Sequence, residues 1–274
     1  DVTGVQTCAL PICNVDLGLK GRRVLITGGS EGIGLAVAKS FLAEDCEVVI
    51  ASRNQGKLDA AVAQLKQVGR GSIATRAIDL SRQGAAETLA DEYPDTDILV
   101  NNAGAIPIGD IFEVDEKRWR ESWDLKVFGY INLTRAMYRH MKGRPPKVIM
   151  NVIGTGAEKP MWRYVCGNAS NIALNGVTYS LGGRSLDDGI RVLAVNPGAV
   201  ETERWRAIHK SRAEKLLGDA TRWREVLHDQ PQSRAAAPEE IADVTVFLCS
   251  DRSSWVSGEV INIDGGRLHR EAWF

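Results

Sequence analysis

The chain is expected to be an α/β protein: a doubly wound parallel sheet of about seven strands with helices on both faces, in a single domain. Short β-branched runs alternate with longer helical stretches, the pattern of βαβ units rather than of a sandwich or bundle. Several runs, such as Val48-Val49-Ile50 and Val148-Ile149-Met150, are apolar at every position, as strands are when helices cover both faces. A glycine-rich segment, Thr27-Gly28-Gly29-Ser30-Glu31-Gly32-Ile33-Gly34, joins the first such run to the helical stretch after it. Strands are then expected at 23–27, 47–51, 72–78, 97–101, 147–152, 190–195 and 259–263. The segment 116–140 has helical periodicity, returning Trp119, Trp123, Val127 and Tyr130 or Leu133 to one side, and predicts a single long helix. No internal repeat or low-complexity segment interrupts the pattern.

A chain of 274 residues with 44% apolar and 25% charged residues can bury one sizeable core. With 34 basic against 35 acidic residues there is no global field to attract nucleic acid or an anionic membrane, and neither partner is expected. No apolar run approaches the ~18 to 20 residues that span a bilayer. The start lacks the basic region, long apolar run and small-residue cleavage site of a secretory signal. Val2 to Ile12 reads instead as translated read-through of a short-read sequencing adapter, so residues 1–13 are expected to be an artefact of metagenomic assembly and 14–274 the folded domain. The five cysteines show no metal-ligand or Cys-x-x-Cys spacing, so no metal is expected and reduced thiols in the cytoplasm are.

The glycine segment has a physical logic. Gly28 permits the tight turn, Gly32 lets backbone approach a pyrophosphate, and Gly34 allows close helix packing, while the helix N-terminus supplies positive potential. Asn101-Asn102-Ala103-Gly104 follows the fourth strand, Asp79-Leu80 the third, and Asn196-Pro197-Gly198 with Val200 and Thr202 the sixth; Ile263-Asp264-Gly265-Gly266 lies near the end. In this combination the chain resembles the short-chain dehydrogenases/reductases over roughly residues 19–267. The resemblance implies a Rossmann-type domain and an NAD(P)-dependent oxidoreductase acting on a carbonyl or alcohol of a small-molecule substrate. It places the cofactor against Gly28, Ser30, Gly32, Ile33, Gly34, Arg53, Asp79, Leu80, Asn101, Ala103, Gly104, Pro197, Gly198, Val200 and Thr202. No acid ends the second strand to bind a ribose 2′-hydroxyl. The chain has Ala51-Ser52-Arg53-Asn54 there, and in similar members a Ser-Arg pair holds the 2′-phosphate of NADP, so NADP(H) is expected over NAD(H). Glu31, where relatives that prefer NADP carry a basic residue, argues the other way.

The catalytic half departs from the family pattern. Relatives carry Tyr-x-Ala-Ser-Lys-x-Ala-Leu, in which the tyrosine gives the proton and the lysine lowers its pKa. Here the stretch reads Gly167-Asn168-Ala169-Ser170-Asn171-Ile172-Ala173-Leu174, with Gly167 at the tyrosine position and Asn171 at the lysine. Gly154 stands at the serine position and Lys126 at the asparagine. Tyr164, three residues before Gly167, and Lys126 are the candidate proton donors. Their alternatives are a packed aromatic for Tyr164, and for Lys126 a salt bridge to Asp124 or Glu158. Cys166 is expected to pack as a small apolar residue rather than act as a nucleophile. A substrate lid is expected at about 203–237, where basic and acidic residues interleave. Trp273 and Phe274 would be costly in water unless covered, which suggests a homodimer or homotetramer. Three functions are open: an oxidoreductase with a non-standard active site; a cofactor-binding pseudoenzyme, such as a sensor or partner subunit, without hydride transfer; and, more distantly, a lyase or hydrolase with Lys126 or Tyr164 as its base.

Overall fold

The computed structural model describes residues 16–69, 71–228 and 230–270. Residues 1–13 and the terminal Trp273 and Phe274 lie outside them.

Seven parallel strands form one sheet in the order β3-β2-β1-β4-β5-β6-β7. They are β1 (Arg23–Thr27), β2 (Glu47–Ser52), β3 (Ile73–Ala77), β4 (Ile98–Asn101), β5 (Lys147–Val152), β6 (Ile190–Pro197) and β7 (Val260–Ile263). All seven expected strands are present, with ends shifted by one or two residues where polar residues flank the apolar run. Alternation along each strand assigns its side chains to two cores. Val24 and Ile26 join Val48, Ile50, Val148 and Met150 under helices α1 (Gly32–Ala43), α2 (Gln55–Leu65) and α8 (Pro238–Cys249). Leu25, Leu99, Ile149 and Val192 join the opposite core under α3 (Ala85–Glu92) and α5 (Gly129–Met141). Between β1 and β4 the strand order reverses, and the crevice at that switch point is where ligands bind in such sheets.

The long helix at 116–140 is not uniform. It runs as α4 (Glu116–Trp123), then a π-helical turn at Asp124–Phe128, then α5. A π turn inserts one residue per turn and rotates the following side chains, so the apolar stripe is not one face. Trp119 and Trp123 pack on Ile106, Val114 and Cys166, whereas Leu133 enters the sheet core.

The remaining helices are α6 (Val165–Ser185), behind β5 and β6, and α7 (Glu203–Leu217), which opens the expected lid. This segment has a small core of its own, Ala213, Trp223, Val226 and Leu227 with Trp205 against it. Among the described residues no helix is long and apolar enough to cross a membrane, and no three His, Cys, Asp or Glu side chains converge as a metal site.

Candidate active site

The turn after β1 is shaped by backbone crowding. Gly28 has φ +65°, and a Cβ on it would lie 2.9 Å from the Ala103 Cα; a Cβ on Gly34 would overlap the Gly28 carbonyl. Asn102 locks the turn from β4, its Nδ2 donating to the carbonyl oxygens of Thr27 and Gly28 at 3.1 Å each, while the Thr27 hydroxyl accepts from the backbone N–H of Asn102 and Ala103. The N-terminus of α1 has no side-chain cap and no acid in its first turn, so its N–H groups are open to an anion.

A cleft of about 500 Å³ opens over that helix end, lined by Gly28, Ser30, Gly32, Ile33, Arg53, Leu80, Ala103, Gly104 and Thr202 among the expected residues. At its rim Ser30 donates to Ser52 (3.0 Å), and Arg53 has no hydrogen-bond or acidic partner among the described residues. Glu31, the one acid set against a 2′-phosphate, is tied to Lys57 at 2.7 Å.

Three expected cofactor residues are placed elsewhere: Gly34 packs against the Gly28 carbonyl, and Asn101 and Asp79 are turned away from the cleft. Asn101 is fully buried under the cleft, its Nδ2 bound to Thr134 Oγ1 and Asn151 Oδ1, because alternation along β4 turns it inward and leaves Asn102 at the surface of the turn. Asp79 closes a local turn by accepting from the Ser81 backbone N–H and hydroxyl, and the apolar neighbours Ile78 and Leu80 line the cleft instead.

A second cavity of about 320 Å³ continues from the cleft, sharing Ile33, Asn102, Gly104, Thr202 and Arg204 with it, and holds Pro197, Gly198 and Val200. Of the four positions expected to depart from the family pattern it brings together Lys126, Gly154 and Asn171, and Tyr164 besides. The π turn carries Lys126 into this space. Its Nζ donates to Ile153 O (2.9 Å) and Asn171 Oδ1 (2.7 Å), and Asn171 Nδ2 donates to Gly154 O (3.1 Å). Neither Asp124 nor Glu158 pairs with Lys126; Glu158 accepts from Asn175 at 3.2 Å. The lysine is thus a buried cation held by neutral oxygens. Burial first, and the Arg204 guanidinium second, pull its pKa down to about 8.

Tyr164 is not on α6 but at its N-cap, with φ −143° and ψ 34°. Its ring nevertheless lies on Gly167: a Cβ at 167 would overlap ring atoms Cζ, Cε1 and Cε2. Only a residue without a side chain admits the ring there. Burial raises the pKa of its phenol, against a smaller opposing effect of Arg204, and the hydroxyl has no hydrogen-bond partner among the described residues. Gly154 sits at φ +141°, a conformation strained for a side chain. Cys166 is buried with its Sγ 3.2 Å from Ser122 Oγ, and burial pushes the thiol up, so it is no thiolate nucleophile.

Sequence reasoning missed Arg204, which donates to the Ile106 carbonyl and stands at the mouth of both cavities. Its signal was its place in the first turn of the lid, two residues after Thr202.

Against known proteins, a family model described as enoyl-(acyl carrier protein) reductase matches residues 28–267. The chain belongs to the short-chain dehydrogenase/reductase family. An uncharacterised oxidoreductase of Methylorubrum extorquens is 32% identical over 254 residues, covering 90% of this chain and 98% of that one. A 3α-hydroxysteroid dehydrogenase of Mediterraneibacter gnavus is 30% identical, covering 90% and 97%. The crystal structure of L-sorbose reductase from Gluconobacter frateurii, complexed with NADPH and L-sorbose, superimposes with a TM-score of 0.87 at 30% identity, covering 93% of this chain and all of that one. This chain is accordingly a short-chain dehydrogenase/reductase-type oxidoreductase dependent on a nicotinamide cofactor. The uncapped helix end, the crowded glycine turn and the free Arg53 suit such a dinucleotide. Relatives named for a steroid and for a sugar leave the substrate open.

Proposed function

We propose that this member of the family is an NADP(H)-dependent carbonyl/alcohol oxidoreductase whose acid–base group is Lys126, with Tyr164 as the hydroxyl that holds the substrate oxygen. The observation that carries the proposal is the exchange of a lysine and an asparagine across one hydrogen bond. At the positions where the family has asparagine and lysine, this chain has Lys126 and Asn171, and they meet at 2.7 Å. The cavity keeps its ammonium but receives it from the opposite wall.

A nicotinamide cofactor bound in the cleft would supply a hydride to the carbonyl carbon. The protein must then give a proton to the oxygen. An ammonium has three N–H donors, and two of those on Lys126 are committed to Ile153 and Asn171. The third has no protein acceptor among the described residues, and the side chain lines the cavity. With a pKa of about 8 the group is charged at neutral pH yet gives up its proton far more readily than an ordinary lysine. Tyr164 stays a neutral phenol, a hydrogen-bond donor to the same oxygen. Asn171 acts through Lys126, fixing its direction from one side while Ile153 does so from the other.

Arg53 supports NADP(H) over NAD(H), since it has no partner in the protein and a planar guanidinium suits a phosphate. The buried free thiols Cys46, Cys166 and Cys249 fit a reducing compartment, and cytoplasmic location belongs to this proposal. So does assembly as a homodimer or homotetramer, which light scattering tests.

The test is NADPH oxidation with a ketone panel by the parent chain, Lys126→Met and Tyr164→Phe. Loss of turnover in Lys126→Met with NADPH affinity retained is expected. Undiminished turnover in Lys126→Met would overturn the assignment, and NADPH binding with no turnover on any carbonyl would point to the pseudoenzyme alternative.

A further inference from the structure

Outside the inner cavity a wider recess of about 950 Å³ runs along the first face of the lid, with Arg204 common to both. Its floor is apolar, made by Pro107, Ile108 and Ala207, Ile208 and Leu216. Its rim carries Arg118 from α4 and Arg204, Arg212 and Lys215 from α7, and among the described residues no acid lines it. The inner cavity likewise contains Lys126 and no Asp or Glu.

Among the described residues none of these five cations has an acidic partner: Arg118 and Arg204 donate to the carbonyl oxygens of Glu113 and Ile106, and Lys126 to neutral oxygens. The nearby acids are otherwise engaged. Glu113 pairs with Arg163 at 2.8 Å, Glu121 stands 4.0 Å from Lys117, Asp115 accepts from the Arg118 backbone and Glu214 from that of Ala220. Among the described arginines of residues 203–237, Arg204 and Arg212 lack an acidic partner and both line the recess, whereas Arg206, Arg222, Arg224 and Arg234 are paired. Lys210 on α7 also lacks an acidic partner among the described residues and lies off the recess.

We infer that the substrate is a carbonyl compound carrying an anionic group, with its carbonyl at Lys126 and its anion in the recess between Arg118, Arg204, Arg212 and Lys215. The inference rests on the oxidoreductase proposal only for which end of the substrate faces Lys126. An apolar floor and a cationic rim suit a short hydrocarbon spacer ending in a carboxylate or phosphate. Cations at the entrance to a low-dielectric cleft also concentrate such a substrate before it docks.

The experiment uses calorimetric titration of the NADPH-loaded protein with matched pairs, and NADPH oxidation with the same compounds. The carboxylate arm sets 4-oxopentanoate against 2-pentanone and 6-oxoheptanoate against 2-heptanone. The phosphate arm sets dihydroxyacetone phosphate against dihydroxyacetone. In at least one arm the anionic member should bind about tenfold or more tightly, the scale of one charge-assisted hydrogen bond, and lose most of that advantage at high salt. The arm that shows it identifies the anion. The combined variant Arg118→Ala, Arg212→Ala, Lys215→Ala should abolish the advantage, and the charge-preserving Arg118→Lys, Arg212→Lys should retain most of it. Equal binding of both members of every pair, including none by either, overturns the inference, as does an advantage that survives the triple variant. Selective anion binding without NADPH oxidation would support the recess and count against the oxidoreductase proposal alone.

Discussion

The two ends of the cleft are built from different materials. Around Gly28 the site is backbone: a helix N-terminus, a turn held by Asn102, and glycines where a Cβ would strike main chain. Around Lys126 it is side chain: an ammonium from the π turn, an amide from α6 and a phenol from the cap of α6 that meet in one cavity. Backbone geometry tolerates few sequences, so the nucleotide end keeps its motif. A side-chain constellation can be filled from another wall, and on the proposed reading the cavity end holds Lys126 and Asn171 in exchanged places, with the Tyr164 ring resting where Gly167 leaves room.

The sharpest way to break this contrast is to remove the ammonium. General acid–base groups contribute about 10² to 10⁴-fold, so Lys126→Met should lower kcat for ketone reduction by at least about a hundredfold. On the proposed mechanism reduction needs the protonated lysine, and burial has lowered its pKa to about 8, so the parent rate should fall as pH rises through about 8 while alcohol oxidation gains. A rate of reduction flat from pH 6 to 10 would place the proton donor elsewhere.

A smaller effect concerns Gly167. A methyl group there overlaps the Tyr164 ring, and overpacking of this kind costs about 1 to 3 kcal/mol. Gly167→Ala should therefore lower the melting temperature, and its effect should be much smaller in a Tyr164→Ala background, where the ring it meets is gone. Additive losses would show that the two positions do not share space. The same crowding means that Gly167→Tyr cannot restore the family pattern while Tyr164 is present. Gly154→Ser meets a second obstacle in the φ of +141° at that position.

The fold was legible because each strand announces itself. Ile98, Leu99 and Val100 are buried on both sides and apolar without exception, and periodicity needs no partner to be read. The π turn was not legible, since it adds a residue per turn without a compositional mark and 116–140 passes for one helix. At the nucleotide end the loop was readable, yet Asn101 and Asn102 could be told apart only once the strand's alternation was fixed in space. At the other end, sequence register led to the expectation that the family's serine, tyrosine and lysine are missing from 154, 167 and 171. The Lys126–Asn171 bond joins residues 45 apart, and the Tyr164 ring reaches Gly167 from a non-helical cap; both are products of tertiary packing.

At the nucleotide end, Arg53→Ala should weaken NADPH about tenfold and leave NADH nearly unchanged, the charged contact being lost only where a 2′-phosphate is present. Equal loss for both nucleotides would assign Arg53 to the adenine rather than to the phosphate.

The smallest effect, and the finest test of that end, is at Glu31. Its carboxylate holds Lys57 at 2.7 Å on the rim that also carries Arg53, and both partners are more than half exposed. Glu31→Gln removes one negative charge near the site of the 2′-phosphate and frees an ammonium to move toward it. Exposed ion pairs are weak and screened by salt, so the gain should be only a few-fold, largest at low ionic strength and gone by about 0.5 M salt. NADPH should tighten while NADH does not. If NADPH instead weakens in Glu31→Gln, the carboxylate is positioning Lys57 for the phosphate, and the nucleotide end too depends on a side-chain constellation rather than on backbone and Arg53 alone.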